Sequence, residues 1–162
     1  MRSFTTREIG KLFGLILLAL AFGLVQAQAK PNFSGTWKLN AAKSEFGPMP
    51  APDSRTDKIT HADPSLKDTV TQSGQQGETT SDLSYSTDGK ETTNTIRGNE
   101  LKSTAKWDGD ELVIDNKGSF NGQDVTLSDR WSLSEDGKTI TIKRHAVSPM
   151  GEMDQKILLE KQ

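Results

Sequence analysis

The sequence contains no cysteine among its 162 residues. A disulfide framework is therefore excluded, and a folded domain of this chain has to be stable through its core and its hydrogen bonds alone. A lipid anchor attached to a cysteine behind an export signal is excluded for the same reason. Covalent crosslinks contribute nothing to this fold.

Other features that would identify an enzyme or a metal protein are scarce. The only two histidines, His61 and His145, lack the close or helical spacing of metal ligands, so we expect no metal site. No Gly-x-Ser-x-Gly motif and no glycine-rich loop between a strand and a helix is present, so hydrolase and nucleotide-cofactor chemistry are not indicated. We expect a non-enzymatic protein without a cofactor.

Charge of one sign is also missing. Lysine and arginine number 20 against 22 acidic residues, which gives a formal net charge of −2. Nucleic acids and anionic membranes are bound through clustered basic residues, so neither is an expected partner.

No hydrophobic run reaches the roughly 20 residues that a membrane span needs. The longest, residues 12–25, follows Arg2, Arg7 and Lys11 and precedes Ala27, Gln28 and Ala29. This order predicts a secretory signal over residues 1–29, cleaved after Ala29 or alternatively after Ala27. We expect a single periplasmic or secreted domain over residues 30–162, with no stable membrane anchor after cleavage.

Short strands and tight turns account for the rest of the chain. Hairpin signals recur every 10 to 15 residues or so, because Gly next to Asp or Asn adopts the positive φ that tight turns need. They lie at residues 87–90, 97–99, 108–110, 121–122 and 135–138, and earlier strands are predicted at 35–40, 55–61 and 66–73. No helix is indicated. We predict an all-β fold, an antiparallel up-and-down β-barrel of about 8–10 strands.

Alternation within the strands assigns the faces of the barrel. A four-residue loop between Ser134 and Thr139 would place Asp129 opposite Arg144 on the inner face, and Trp131 opposite Ile142. At the Asp108–Gly109 turn the same rule pairs Trp107 with Leu112 and Ala105 with Ile114. At the residue 87–90 turn it pairs Tyr85 with Thr92 and Leu83 with Asn94.

These faces give the candidate ligand-binding residues. The inner face mixes aromatic side chains with a few polar anchors, as ligand pockets do. The candidates are Asp129, Arg144, Trp131, Tyr85, Asn94 and Asn116. The aromatic members fit a packed core as well as a cavity wall, and the carboxylate with its guanidinium fits a structural pair as well as a ligand-polarising one.

Residues 32–39, together with Lys43, Ser44 and Phe46, resemble the first strand of the calycin superfamily, the lipocalins and fatty-acid-binding proteins. They are also similar to small exported bacterial proteins of unknown function that are described as lipocalin-like. The resemblance makes Gly35 and Trp37 the structural Gly-x-Trp motif. It implies that this Trp closes one end of the barrel under a late-strand cation, for which Arg130 and Arg144 are the candidates.

Two features of the fatty-acid binders are missing from the sequence. The last strand, near residues 154–161, has no Arg-x-Tyr pair for a carboxylate, and residues 47–52 carry prolines that a helical lid does not tolerate. The leading hypothesis is an exported barrel that binds a small, partly apolar or amphiphilic ligand. The alternative is an envelope or extracellular module that contacts a protein, as inhibitor, adhesin or assembly factor, through loops 47–52 and 147–153.

Overall fold

A computed structural model describes residues 29–75, 77–120 and 122–162. Within them the chain is all-β, apart from a 3-10 turn at Ala41–Lys43. The strands are β1 (Gly35–Leu39), β2 (Ser54–Ala62), β3 (Ser65–Gly74), β4 (Gly77–Ser86), β5 (Thr92–Ile96), β6 (Asn99–Asp108), β7 (Glu111–Phe120), β8 (Gln123–Leu133), β9 (Thr139–Ser148) and β10 (Gly151–Lys161). The predicted secretory signal falls on residues 1–28, outside the described residues, and on Ala29.

The ten strands form one antiparallel sheet in which β1 pairs with both β2 and β10. Every other neighbour in the sheet is also a neighbour in sequence, which leaves β4 and β5 as the two edges. These edges face each other, so the sheet is rolled into a nearly closed up-and-down barrel. The predicted fold class is confirmed.

Two of the predicted hairpin registers are present. The backbone N–H of Ser134 donates to the carbonyl of Thr139 at 2.9 Å and closes the loop that fixes the register of β8 and β9. The observed pairs are Asp129 with Arg144, Trp131 with Ile142, Leu133 with Ile140, Trp107 with Leu112, and Ala105 with Ile114. The alternation of apolar residues therefore places the same side chains inside as the sequence indicates.

The third predicted register is wrong. Among the described residues β4 pairs only with β3, so Tyr85 lies opposite Leu66 rather than Thr92, and Leu83 lies opposite Asp68 rather than Asn94. The turn after β4 is drawn towards β6, because the backbone N–H of Gly89 donates to the carbonyl of Ala105 at 2.8 Å. The two strands consequently separate beyond this turn.

A side chain closes the junction between β4 and β5, which we call the seam. The backbone N–H of Ser84 donates to Oδ1 of Asn94 at 2.7 Å, and Nδ2 of Asn94 donates to the carbonyl of Ser84 at 3.1 Å. The amide of Asn94 thus replaces one pair of backbone hydrogen bonds, since it carries one acceptor and two donors.

Aromatic side chains pack together at the end of the barrel where Trp37 lies. Trp37 is fully buried and donates from Nε1 to the carbonyl of Phe33 at 2.8 Å. The Phe33 ring stacks on His61 and on Trp107, with centroids 5.7 and 6.0 Å apart. Trp37, Phe33, His61 and Trp107 thus pack together at this end of the barrel.

The cation over Trp37 is not the expected one. Nζ of Lys161, on the last strand β10, lies 5.2 Å from the centroid of the Trp37 ring. Arg130 instead bonds Asp108 and Glu111 on the surface, and Arg144 points into the barrel towards Asp129. A lysine serves because a compact ammonium over an indole face satisfies the same cation–π attraction as a guanidinium. Gly35 makes room for it, since a Cβ at this residue would lie 3.0 Å from Cε of Lys161.

The seam gives a first prediction. Replacing Asn94 by Leu keeps the branched shape of the side chain but removes its hydrogen bonds with the backbone of Ser84 and with the Ser103 hydroxyl, so we expect a loss of about 1–3 kcal/mol in the free energy of unfolding. Urea denaturation measures it. Thr93→Ala, on the exposed neighbouring residue, is the control and should stay within about 0.5 kcal/mol of wild type. Equal losses in the two variants would contradict the role of Asn94.

Candidate functional site

A half-open cavity of ≈ 360 Å³ occupies the end of the barrel opposite Trp37. Its outer part is lined mainly by apolar side chains from the strand ends and from the proline-rich loop. These include Phe46, Met49, Ile96, Phe120, Leu127 and Met153. The loop is held in place because Gln155 of β10 donates from Nε2 to the carbonyl of Phe46 at 3.2 Å, and Asp53 bonds Ser73 of β3. A fixed loop rather than a helical lid thus borders the opening.

The inner part of the cavity is polar, and we call it the polar floor. It consists of Arg55, Tyr85, Asn116, Asp129 and Arg144. These side chains come from five strands, β2, β4, β7, β8 and β9, each pointing inward through the alternation of its strand.

The first ion pair of the floor joins neighbouring strands. Arg144 donates from Nε and Nη2 to the two carboxylate oxygens of Asp129, both at 2.7 Å. The Asp129 side chain is 5% exposed, while that of Arg144 keeps 25% of its surface accessible and lines the cavity. The negative charge of Asp129 raises the pKa of Arg144, so the guanidinium stays charged.

A second ion pair lies within β2. Arg55 donates from Nε to Asp57 at 2.8 Å and from Nη2 at 2.6 Å, and both side chains are buried. Burial alone would lower the pKa of Arg55, but the charge and hydrogen bonds of Asp57 raise it above its ordinary value. Two fully formed bidentate pairs therefore sit side by side, which is the strongest geometry available to a guanidinium and a carboxylate.

Asp68 of β3 lies behind the floor and has no such partner. It is 1% exposed, and neither carboxylate oxygen has a hydrogen-bond partner among the described residues. Burial raises its pKa well above the ordinary value, the charge of Asp57 raises it further, and Arg55 opposes both. The fold thus favours the neutral form of the Asp68 carboxyl group over its charged form.

Unused hydrogen-bond donors remain on the floor. Each guanidinium uses Nε and Nη2 for its aspartate, and within the described chain Nη1 of Arg55 and of Arg144 has no partner. Asn116 accepts from the Ser103 hydroxyl at 2.7 Å through Oδ1, which leaves its Nδ2 unused there as well. Burial raises the pKa of Tyr85, so its hydroxyl keeps its proton.

The structure brings together four of the six candidate residues. Asp129, Arg144, Tyr85 and Asn116 line the cavity. Asn94 lies at the seam and reaches the floor through Ser103, to which it donates at 3.0 Å. Trp131 is not among the described cavity-lining residues and packs edge-on against Phe33, with centroids 5.8 Å apart. Their part in binding remains a prediction.

Sequence reasoning missed Arg55, Asp57 and Asp68. They occupy alternate places on β2 and β3, on the same faces as Ile59 and Leu66. Charged residues at alternate positions normally lie on the solvent face of a strand, so the sequence indicated that these three side chains face the solvent. The signal in the sequence was Ile59, an apolar residue two positions after Asp57, which indicates that this face of β2 is the inner one.

Neither a metal centre nor a helical membrane span emerges from the described ranges. No cluster of three or more His, Cys, Asp or Glu side chains there could hold a metal ion. No helix there is both long and apolar enough to cross a bilayer.

Asp68 makes stability depend on pH. The folded chain keeps a proton that the unfolded chain loses above about pH 4, so unfolding becomes easier as pH rises towards the raised pKa. We expect Asp68→Asn to be more stable than wild type at about pH 7, by roughly 1.4 kcal/mol for each unit of pKa shift, and to lose this advantage at about pH 3. Urea denaturation at both pH values measures it. Asp124→Asn, on the surface, is the control, and an advantage that does not change with pH would contradict the assignment.

No protein-family model and no curated protein matches this chain. Solved structures do resemble it. A secretory abundant heat soluble protein from Ramazzottius varieornatus has a TM-score of 0.60 at 15% identity, covering 83% of this chain and 97% of its own. The fluorescent protein UnaG has a TM-score of 0.56 at 16% identity, with 80% and 97% covered.

A zebrafish ileal bile acid-binding protein, solved in complex with cholic acid, has a TM-score of 0.53 at 18% identity. The alignment covers 80% of this chain and 98% of that one. At these identities the likeness concerns the fold alone. The chain has the calycin-like barrel fold, as the Gly-x-Trp strand implies.

Proposed function

We propose that this chain is an exported, non-enzymatic barrel that binds a small, partly apolar ligand in its cavity. The observation that carries the proposal is the division of the cavity into an apolar outer part and a polar floor with unused donors. Ligand sites combine apolar walls with a few polar groups in this way, and ≈ 360 Å³ lies within their usual range of about 300–1,000 Å³.

The closed end supports the proposal by contrast. Trp37, Phe33 and Leu112 are fully buried in the core, whereas the described cavity lies at the other end of the barrel. The zebrafish protein of similar fold was solved in complex with cholic acid, which is a precedent for the binding of a small amphiphile by this fold.

Export is part of the proposal through residues 1–29, whose basic, apolar and small-residue segments have the order of a secretory signal. A barrel without cysteine suits either the periplasm or the extracellular space, because its stability does not depend on redox conditions. Fractionation of cells that express the full chain, with N-terminal sequencing of the exported product, tests this part.

Occluding the cavity should abolish binding. Ser81 lines the cavity and Thr80, next to it, is exposed on the outer face. We expect Ser81→Phe to weaken binding of Nile red, an uncharged dye, by at least about tenfold, which corresponds to 1.4 kcal/mol. Thr80→Phe should leave it unchanged. Fluorescence titration measures the affinity of both variants for the dye. An affinity that is unchanged in Ser81→Phe would place the dye outside the cavity.

One observation favours a second function, contact with a protein through the loops. The exposed large apolar side chains among the described residues are Met49, Val147 and Met150, and Met150 is 86% exposed. Met49 lies in the loop at residues 47–52 and Met150 in the turn between β9 and β10, whereas Val147 lies on β9, so the loop predicted at residues 147–153 is shorter than expected. We call these three side chains the rim, since exposed apolar side chains are common at contact surfaces.

The rim can be tested separately from the cavity. If it binds a partner, a stoichiometric protein should co-purify with the wild type and be lost from the Val147→Ser/Met150→Ser variant, which changes no residue that lines the cavity. Retention of the same partner by that variant would rule out the rim as the contact surface. Ser81→Phe serves here as the matched control, because it blocks the cavity and spares the rim.

A further inference from the structure

We propose that the polar floor selects an uncharged head group that accepts hydrogen bonds, such as an amide or an ester, over a carboxylate of the same shape. This inference rests on the proposed ligand binding and adds to it the chemical class of the ligand head. It concerns Arg55, Arg144, Asn116 and Tyr85, which together face the inner cavity.

The direction of hydrogen bonding on the floor is one-sided. Nη1 of Arg55, Nη1 of Arg144 and Nδ2 of Asn116 are donors without partners among the described residues. The carboxylate oxygens of Asp129 already accept from Arg144 at 2.7 Å. A ligand head therefore meets several donors, and only an oxygen or another acceptor satisfies them.

The charge on the floor is already balanced. Arg55 is neutralised by Asp57 and Arg144 by Asp129, each through two hydrogen bonds. The buried Asp68 adds either nothing or one negative charge, and never a positive one. A carboxylate head would therefore enter the site as a charge without a counter-charge, which is unfavourable away from bulk water, whereas an amide of the same shape enters without a charge.

One further cation lines the cavity and has to be weighed. Arg97 lies at the turn between β5 and β6 and is exposed to solvent, whereas Arg55 is buried and Arg144 is partly buried. An exposed guanidinium attracts a carboxylate only weakly, because water screens the interaction. It also lies beside the apolar outer part with Met49 and Pro50, where the body of the ligand is expected rather than its head.

Three probes with the same chain length test the charge preference: dodecanamide, dodecanoate and dodecylammonium. Each is titrated at about pH 7.5 against wild-type protein loaded with Nile red, and displacement gives its affinity. We expect dodecanamide to bind at least about tenfold more tightly than dodecanoate. Dodecylammonium should bind weakly as well, because its head only donates to a floor that already has an excess of donors.

One variant should reverse the head-group preference, and a second should restore it. Asp129→Asn leaves the charge of Arg144 unbalanced, and dodecanoate should then gain at least about tenfold relative to dodecanamide. The double variant Asp129→Asn/Arg144→Gln removes the whole pair, so the floor is uncharged again and the amide preference should return. Far-UV circular dichroism checks the fold of both, and the wild-type comparison stands without them.

The outcomes separate this inference from the proposed function. Dodecanoate or dodecylammonium binding to wild type as tightly as dodecanamide would overturn the head-group assignment, while displacement from the cavity would still support ligand binding. Displacement that is also unaffected by Ser81→Phe would overturn the proposed site itself. An unchanged preference in Asp129→Asn, with its fold intact, would overturn the charge-balance argument.

Discussion

Burial of charge is the constraint on which the rest of this barrel depends. Two arginines point into the ten-stranded barrel, and a carboxylate compensates the charge of each guanidinium in bidentate geometry. The Arg144 pair links β8 to β9, and the Arg55 pair joins two residues of β2. Packing is therefore apolar at the Trp37 end and polar in the middle, and the cavity begins where the ion pairs end.

The same constraint distinguishes this barrel from a carboxylate binder of the familiar kind. A guanidinium that binds a fatty-acid carboxylate has to lack a counter-charge from the protein itself, whereas both arginines here have one. What they offer a ligand is geometry and donor capacity rather than net charge. Together with the apolar side chains near Phe46 and Leu127, this arrangement suits an amphiphile whose polar end is neutral.

The sequence predicted the parts of the fold that depend on alternation and tight turns. Asp129 and Arg144 could be paired because one short loop fixed the register and Trp131 and Ile142 confirmed the face. Arg55 and Asp57 could not, since charged residues at alternate positions ordinarily face water, and only burial shows otherwise. Lys161 was missed because the resemblance directed attention to arginine. A turn signal after Tyr85 indicates where a strand ends, but it does not say whether the next strand stays paired.

The seam has a mechanical consequence. Elsewhere the wall is joined by ladders of backbone hydrogen bonds, and separating two strands breaks many of them together. Between β4 and β5 the described contacts to Ser84 are made by the side chains of Asn94 and Thr92, so separation there breaks only a few bonds. Parting the wall there thus breaks fewer hydrogen bonds than parting a full backbone ladder. The proline-rich loop at the opening of the cavity is attached to β10 and β3 instead, so an opening at the seam would leave that loop in place.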